Sequence, residues 1–265
     1  MKRYRVKPGA KVSLRDYDPD DTGDYKDRAQ AEQDLAGDLA RMADLQERLY
    51  AENQRALLVV LQAMDAGGKD GTVKHVFSGV NPAGCEVTSF QAPSGEEADH
   101  DYLWRVYRAV PRRGNIGIFN RSHYEDVLAV RVRKLAPKPV WRRRYDQINR
   151  FEQLLVENGT TIVKFYLHIS KAEQKKRLAE RLANPNKSWK FSETDLHDRE
   201  HWAEYQEAYE DALHLCSSEW APWYIVPANH KWYRNLVVAR TIVQLLKDMD
   251  PRPPRPKIDV SKVSL

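Results

Sequence analysis

At 265 residues, with 42% hydrophobic and 31% charged side chains, the chain can bury a sizeable core and is expected to form a single domain over residues 1–265, not a disordered polyelectrolyte. Its two cysteines, Cys85 and Cys216, exclude a disulfide framework and a paired-cysteine metal site, so a reducing, cytoplasmic setting is expected. No run of about 18 apolar residues is present, which argues against membrane insertion and a secretory leader.

The net charge of +5 is unevenly distributed. Residues 131–144, "RVRKLAPKPVWRRR", carry seven basic and no acidic side chains, and residues 171–190 carry a surplus of five, which leaves the rest of the chain at −7. Positive charge concentrated in this way suits a surface that meets a polyanion.

In chain order, Asp24 to Glu52 reads as a long helix, with Leu35, Leu39, Met42, Leu45 and Leu49 at three- and four-residue spacing. Strands are expected at Ala56 to Met64, Glu86 to Phe90, Asn115 to Asn120, Thr161 to His168 and Trp223 to Pro227. Between them lie helices at Thr72 to Phe77, Glu96 to Val110, Val140 to Asn158, Lys171 to Leu182 with Arg199 to Ser217, and Lys231 to Met249. Alternation of this kind predicts a three-layer α/β/α fold around a parallel five-stranded sheet. The fourth crossover is broken by "ANPNKSW", and residues 171–200 are expected to form a helical lid over the sheet's carboxyl edge. The tail 250–265 is Pro-rich and expected to lie extended on the surface.

Directly after the first strand, "MDAGGKDG" offers what a phosphate loop needs: glycines that let N–H groups face an anion, a helix start, and a lysine. Two of the four fixed positions of the usual G-x-x-x-x-G-K-[ST] pattern fail, holding Ala63 and Asp70. Ala63 is small, and Asp65 with Asp70 supply carboxylate oxygens where the hydroxyl is lost; carboxylates are ordinary Mg2+ ligands. A plain glycine turn is the structural alternative. The candidate phosphate contacts here are Ala66, Gly67, Gly68, Lys69, Asp70, Gly71, Thr72 and Lys74.

The third strand releases Asn120, Arg121 and Glu125 in "NRSHYED", where Arg121 can meet a phosphate bidentately or merely form a surface ion pair. Arg177 and Arg181 share one face of the basic helix, followed by Lys187 and Lys190, a set suited to neutralising several phosphates or to simple solvation. His197 to His201 match the zinc pattern H-x-x-E-H, but the polar neighbourhood and the lack of a third ligand make this incidental.

"MDAGGKDG", "NRSHYEDV" and "WKFSETDLHDREHW", at these separations, resemble the family-2 polyphosphate kinases over most of the chain. The resemblance implies a P-loop kinase fold with a helical lid that moves phosphoryl groups between inorganic polyphosphate and nucleotides with Mg2+, or Mn2+ in its place. It implies Asp65 as a metal-binding acid, Lys69 and Arg121 as phosphate-handling groups, and Arg177 and Arg181 as lid arginines. Many members carry Asp where this chain has Asn120, which makes Glu125 the better second metal carboxylate. The Asn form with "SHYED" is similar to the class III branch, which takes both AMP and ADP. Arg131 and Arg133, in the basic segment, are expected to guide the polymer. Adenine nucleotides and polyphosphate are thus the expected partners, with guanine nucleotides also conceivable, without nucleic acid or membrane, in a homo-oligomer. The competing readings are an ATP-dependent nucleoside monophosphate kinase and a nucleic-acid-binding protein with aromatics among its basic patches.

Overall fold

A computed structural model describes residues 1–256. Residues 257–265, which hold most of the expected Pro-rich tail, lie outside the described residues; of the part inside, Pro251 is buried and 252–256 are exposed.

Five strands, β1 (Ala56–Gln62), β2 (Cys85–Ser89), β3 (Ile116–Asn120), β4 (Thr160–His168) and β5 (Trp223–Pro227), pair in the order β2-β3-β1-β4-β5. Every pairing is parallel. All seven residues of β1 are buried, as a central parallel strand covered on both faces requires. The helices are α1 (Arg28–Glu52), α2 (Lys69–Val76), α3 (Glu96–Asp99), α4 (Trp104–Arg108), α5 (Ala129–Val132), α6 (Lys138–Glu157), α7 (Lys171–Ala183), α8 (Glu193–Glu200), α9 (Trp202–Leu215) and α10 (Lys231–Met249).

Side-chain alternation along the strands sorts the core into two layers. Leu57, Val59 and Leu61 face one layer with Met42 of α1, Val76 of α2 and the apolar face of α10. Leu58 and Val60 face the other with Ile148 and Phe151 of α6 and Tyr209 of α9. The predicted three layers are therefore present. One expected element is corrected: Glu96 to Val110 is not continuous but splits into α3 and α4, because the Asp101 carboxylate accepts the Leu103 N–H at 2.9 Å and turns the backbone between them. Arg199 to Ser217 is likewise divided, with α8 beginning earlier, at a Ser192 cap reciprocated by Asp195.

A buried polar knot fastens the second layer. Lys164 of β4, fully buried, donates to Glu152 of α6, to Tyr124 Oη at 2.9 Å and to the Cys216 carbonyl at 2.7 Å. Tyr124 Oη in turn donates to Glu152 Oε1 at 2.9 Å, and a nitrogen of the buried His123 ring lies 3.2 Å from the same oxygen. Since Tyr124 and His123 belong to the turn His123–Asp126, the knot fixes the chain just beyond the carboxyl end of β3. Removing one member leaves the other charge buried without a partner. Lys164→Met should therefore cost about 3–5 kcal/mol, and adding Glu152→Leu should recover much of the loss. Urea denaturation of the single and double variants checks this; a single variant as stable as the parent contradicts it.

Candidate active site

The loops after β1, β3, β4 and β5 gather at the carboxyl edge of the sheet, where open α/β folds place their ligands. After β1 the chain closes a turn with the Gly67 N–H on the Met64 carbonyl at 2.9 Å and enters α2 with Gly68 as its N-cap. Gly68 has φ +103°, and the non-glycine Ala66 also adopts positive φ, 59°. A Cβ on Gly67 would stand 2.5 Å from Ala63 Cβ, so the loop tolerates only small residues at this pair. The Thr72 hydroxyl donates to the Gly68 carbonyl at 3.1 Å, inside the helix turn. Among the described residues, the backbone N–H groups of Gly68, Lys69, Asp70 and Gly71 find no protein acceptor, as the first turn of a helix dictates. They form a positive concavity ready for an anion.

Lys69 is buried within this loop and donates to the Ala63 carbonyl at 2.9 Å. Burial, followed by the charge of Arg121, pulls its pKa down to about 8, against the opposing influence of Asp65, Glu125 and Asp70. The residue after β3 is Arg121, again at positive φ (63°), and its Nη2 donates to Asp65 Oδ1 at 2.8 Å. The charge of Glu125 above all, and that of Asp65, hold the Arg121 pKa above its ordinary value despite burial. Two non-glycine residues at positive φ, Ala66 and Arg121, mark a geometry that the surrounding structure enforces. Withdrawal from water raises the Asp65 carboxyl's pKa, and the nearby cations Arg121 and Lys69 pull against it.

Asp65, Lys69, Arg121 and Glu125 are thus brought together. Glu125 is held by Gln62 Nε2 at 3.1 Å, and the Asp65 carbonyl by Gln174 Nε2 at 3.0 Å; neither glutamine was anticipated, because an amide in a strand or helix carries no motif. Asn120 Nδ2 reaches Asp70 Oδ1 at 2.8 Å, while Lys190 Nζ crosses from the α7–α8 excursion to Asp70 Oδ2 at 2.9 Å. Hydrogen bonds from both partners lower the Asp70 pKa, although burial opposes them.

The remaining basic candidates are placed differently. Arg177 is buried beneath the loop and donates to the carbonyls of Ala66 (3.2 Å), Gly67 (3.1 Å), Ala228 (2.5 Å) and Asn229 (3.0 Å), with Glu173 at 2.7 Å. Arg181 pairs with Asp195 at 3.3 Å, and Lys74 and Lys187 are exposed to solvent. Arg133 grips Asp198 with two hydrogen bonds of 3.0 and 2.5 Å. Arg131 pairs with Asp211 at 2.6 Å and lies over the Trp141 ring. These two cations thus each pair with a carboxylate of α9 or α8.

A divalent ion of the Mg2+ kind needs only one or two protein carboxylates when substrate phosphates and water complete its oxygen shell. Asp65 and Glu125, both close enough to perturb Lys69 and Arg121, fit that demand. Among the described residues no group of three or more His, Cys, Asp and Glu side chains forms a self-sufficient metal cage.

The polyphosphate kinase 2 family model matches residues 25–254. The chain belongs to the polyphosphate kinase 2 family. Within the similarities found, it is 53% identical over 264 residues to the AMP/ADP-polyphosphate phosphotransferase of Meiothermus ruber, covering 99% of each chain. It is 45% identical to the ADP-polyphosphate phosphotransferase of Rhodopseudomonas palustris, over 94% of this chain and 90% of that protein. A crystal structure of polyphosphate kinase 2 from Arthrobacter aurescens superposes with a TM-score of 0.93 at 45% identity, covering 98% of this chain and 93% of that one. Among the described residues no helix is long and apolar enough to cross a membrane.

For this polyphosphate kinase 2 chain, a Lys69 pKa drawn down to about 8 should set a pH limit on anion binding at the loop. Below about pH 8 it is protonated and attracts phosphate; above, it is neutral and contributes no charge. Calorimetric titration with inorganic tripolyphosphate should show affinity falling as pH rises past about 8. Lys69→Met should bind weakly at every pH, without that step; a step that survives in Lys69→Met rules out this lysine as its source.

Proposed function

We propose that the chain transfers the terminal phosphoryl group of inorganic polyphosphate to AMP and to ADP, reversibly, at the loop between β1 and α2. The observation that carries this reading is the juxtaposition of Lys69 and four unpartnered loop N–H groups with Arg121, Asp65 and Glu125, in a chain of this family. The names of its relatives in Meiothermus ruber and Rhodopseudomonas palustris support polyphosphate as donor and both nucleotides as acceptors.

An oxygen of the acceptor's terminal phosphate attacks the terminal phosphorus of polyphosphate, the bond to the penultimate phosphate breaks, and the polymer leaves one unit shorter. The acceptor oxygen is already anionic at neutral pH, so no strong base is required and catalysis reduces to positioning and charge neutralisation. The loop N–H groups and Lys69 hold the donor phosphoryl group. Arg121 lies at the mouth of the loop, where it can bridge oxygens of donor and acceptor that otherwise repel. Asp65 and Glu125 would hold Mg2+, which when bound supplies further neutralisation of phosphate charge. The excursion 171–200, whose Lys190 already reaches Asp70, acts as the lid that excludes water. Beside Asp126 a cleft of about 580 Å3, lined by Glu97, Tyr102, Arg105, Arg144 and Gln147, has room for a nucleoside on the acceptor side.

Incubation of the protein with polyphosphate, Mg2+ and either AMP or ADP should yield ATP, and Lys69→Ala should lower the rate by at least about 100-fold. ATP consumption without any use of polyphosphate would instead indicate an ATP-dependent monophosphate kinase. No turnover, combined with tight binding of single-stranded nucleic acid, would indicate a nucleic-acid-binding protein.

A further inference from the structure

A second guanidinium presses on the phosphate loop from an element that no motif marks. Arg234 lies in the first turn of α10 and is only 2% exposed. A Cβ built on Gly68 would stand 1.9 Å from its Nη1, and one on Gly71 would stand 3.4 Å from its Nη2. Its Nε and Nη2 share one acceptor, Asn235 Oδ1, at 3.1 and 2.8 Å. Nη1 has no acceptor among the described residues, and no carboxylate pairs with the group.

The contrast with Arg177 is instructive. That guanidinium has four carbonyls and the Glu173 carboxylate around it. Arg234 has one amide oxygen, and the Arg177 guanidinium also stands close to Gly68. Burial and then that like charge draw its pKa down to about 9. A buried cation lacking a counter-ion is costly, and this one also sits against the positive end of α2, beside four unpartnered N–H groups. Each of these unfavourable features is relieved by the same event, the arrival of an anion at the N-terminus of α2.

We propose that Arg234 is a phosphate ligand, its Nη1 and the first-turn N–H groups of α2 jointly holding a phosphate of the polyphosphate donor. The inference rests on the polyphosphate reading and sharpens it. The donor lies on the α10 side of the loop, because α10 packs on α2, while the nucleoside-sized cleft opens beside Asp126 beyond β3. Gly68 is then required for two reasons: its positive φ, and the close approach of a guanidinium that any side chain would block.

The test compares wild type, Arg234→Gln and Arg234→Lys by thermal unfolding with sodium tripolyphosphate, without divalent ions, and by steady-state kinetics. In the absence of ligand Arg234→Gln should unfold at or above the wild-type temperature, since an uncompensated charge has been removed. Tripolyphosphate should stabilise the wild type, and its affinity should drop about 10- to 100-fold in Arg234→Gln, the loss of one charge-assisted hydrogen-bonding group. The KM for polyphosphate should rise in parallel while the KM for AMP stays unchanged, and Arg234→Lys, which keeps the charge but not the fork, should fall between. A lower unfolding temperature with undiminished tripolyphosphate affinity would show a structural strut and overturn the assignment. If Arg234→Gln does not fold, Arg234→Lys decides, and wild-type affinity in that variant overturns it equally. Absence of tripolyphosphate binding by the wild type itself overturns the functional reading, a result separable from either.

Discussion

The Arg177 guanidinium ties the loop after β1 to the loop after β5. It collects the carbonyls of Ala66 and Gly67 from the loop after β1, and those of Ala228 and Asn229 from the loop after β5. A peptide's carbonyl and N–H point in opposite directions, so drawing two successive carbonyls to one side turns the following N–H groups to the other. The positive φ values of Ala66 and Gly68 are the backbone cost of that arrangement. Because Arg177 belongs to α7, the same contacts tie the loop to the base of the basic excursion that carries Lys190.

Around this frame the electrostatics are unbalanced by design of the fold. Lys69, Arg121 and Arg234 crowd one loop end with Asp65 and Glu125 as the nearby acids, and burial depresses the pKa of Lys69 and of Arg234. A polyanion entering this region would replace lost hydration with fixed donors and favour the charged form of Lys69. Binding and transition-state stabilisation then come from the same preorganised groups, as phosphoryl transfer requires. The Lys164–Glu152 knot lies behind this assembly and holds the His123–Asp126 turn, so Glu125 projects from a rigid base.

The strands, their order of appearance and the loop were legible because near-continuous apolar runs, a glycine turn and a lysine are local signals. The cluster of Asp65, Lys69, Arg121 and Glu125 could be read for the same reason, as each lies within seven residues of a strand end. Charge counting was less informative. Seven basic residues in 131–144 suggested an open track, yet Arg131 and Arg133 are matched to Asp211 and Asp198, whose positions some 65 to 80 residues later no local pattern reveals. The shared helical face of Arg177 and Arg181 shows only that they neighbour each other; the acceptors around Arg177 belong to two distant loops that no local pattern reveals. Arg234 went unseen because "KWYRNLVVAR" reads as an amphipathic helix, and only the close packing of α10 on α2 discloses what that side chain touches.

That Arg177 holds the loop after β1 in shape from beneath is most directly tested by hydrogen exchange in the substrate-free protein. The amides to follow are those of Gly67 and Thr72, which bond to the Met64 and Gly68 carbonyls at 2.9 Å each. In Arg177→Lys both should lose protection without any phosphate present, because the intervening loop, held by Arg177 at the Ala66 and Gly67 carbonyls, is no longer anchored. Unchanged protection at these two amides, with phosphate binding nonetheless lost, would contradict the claim.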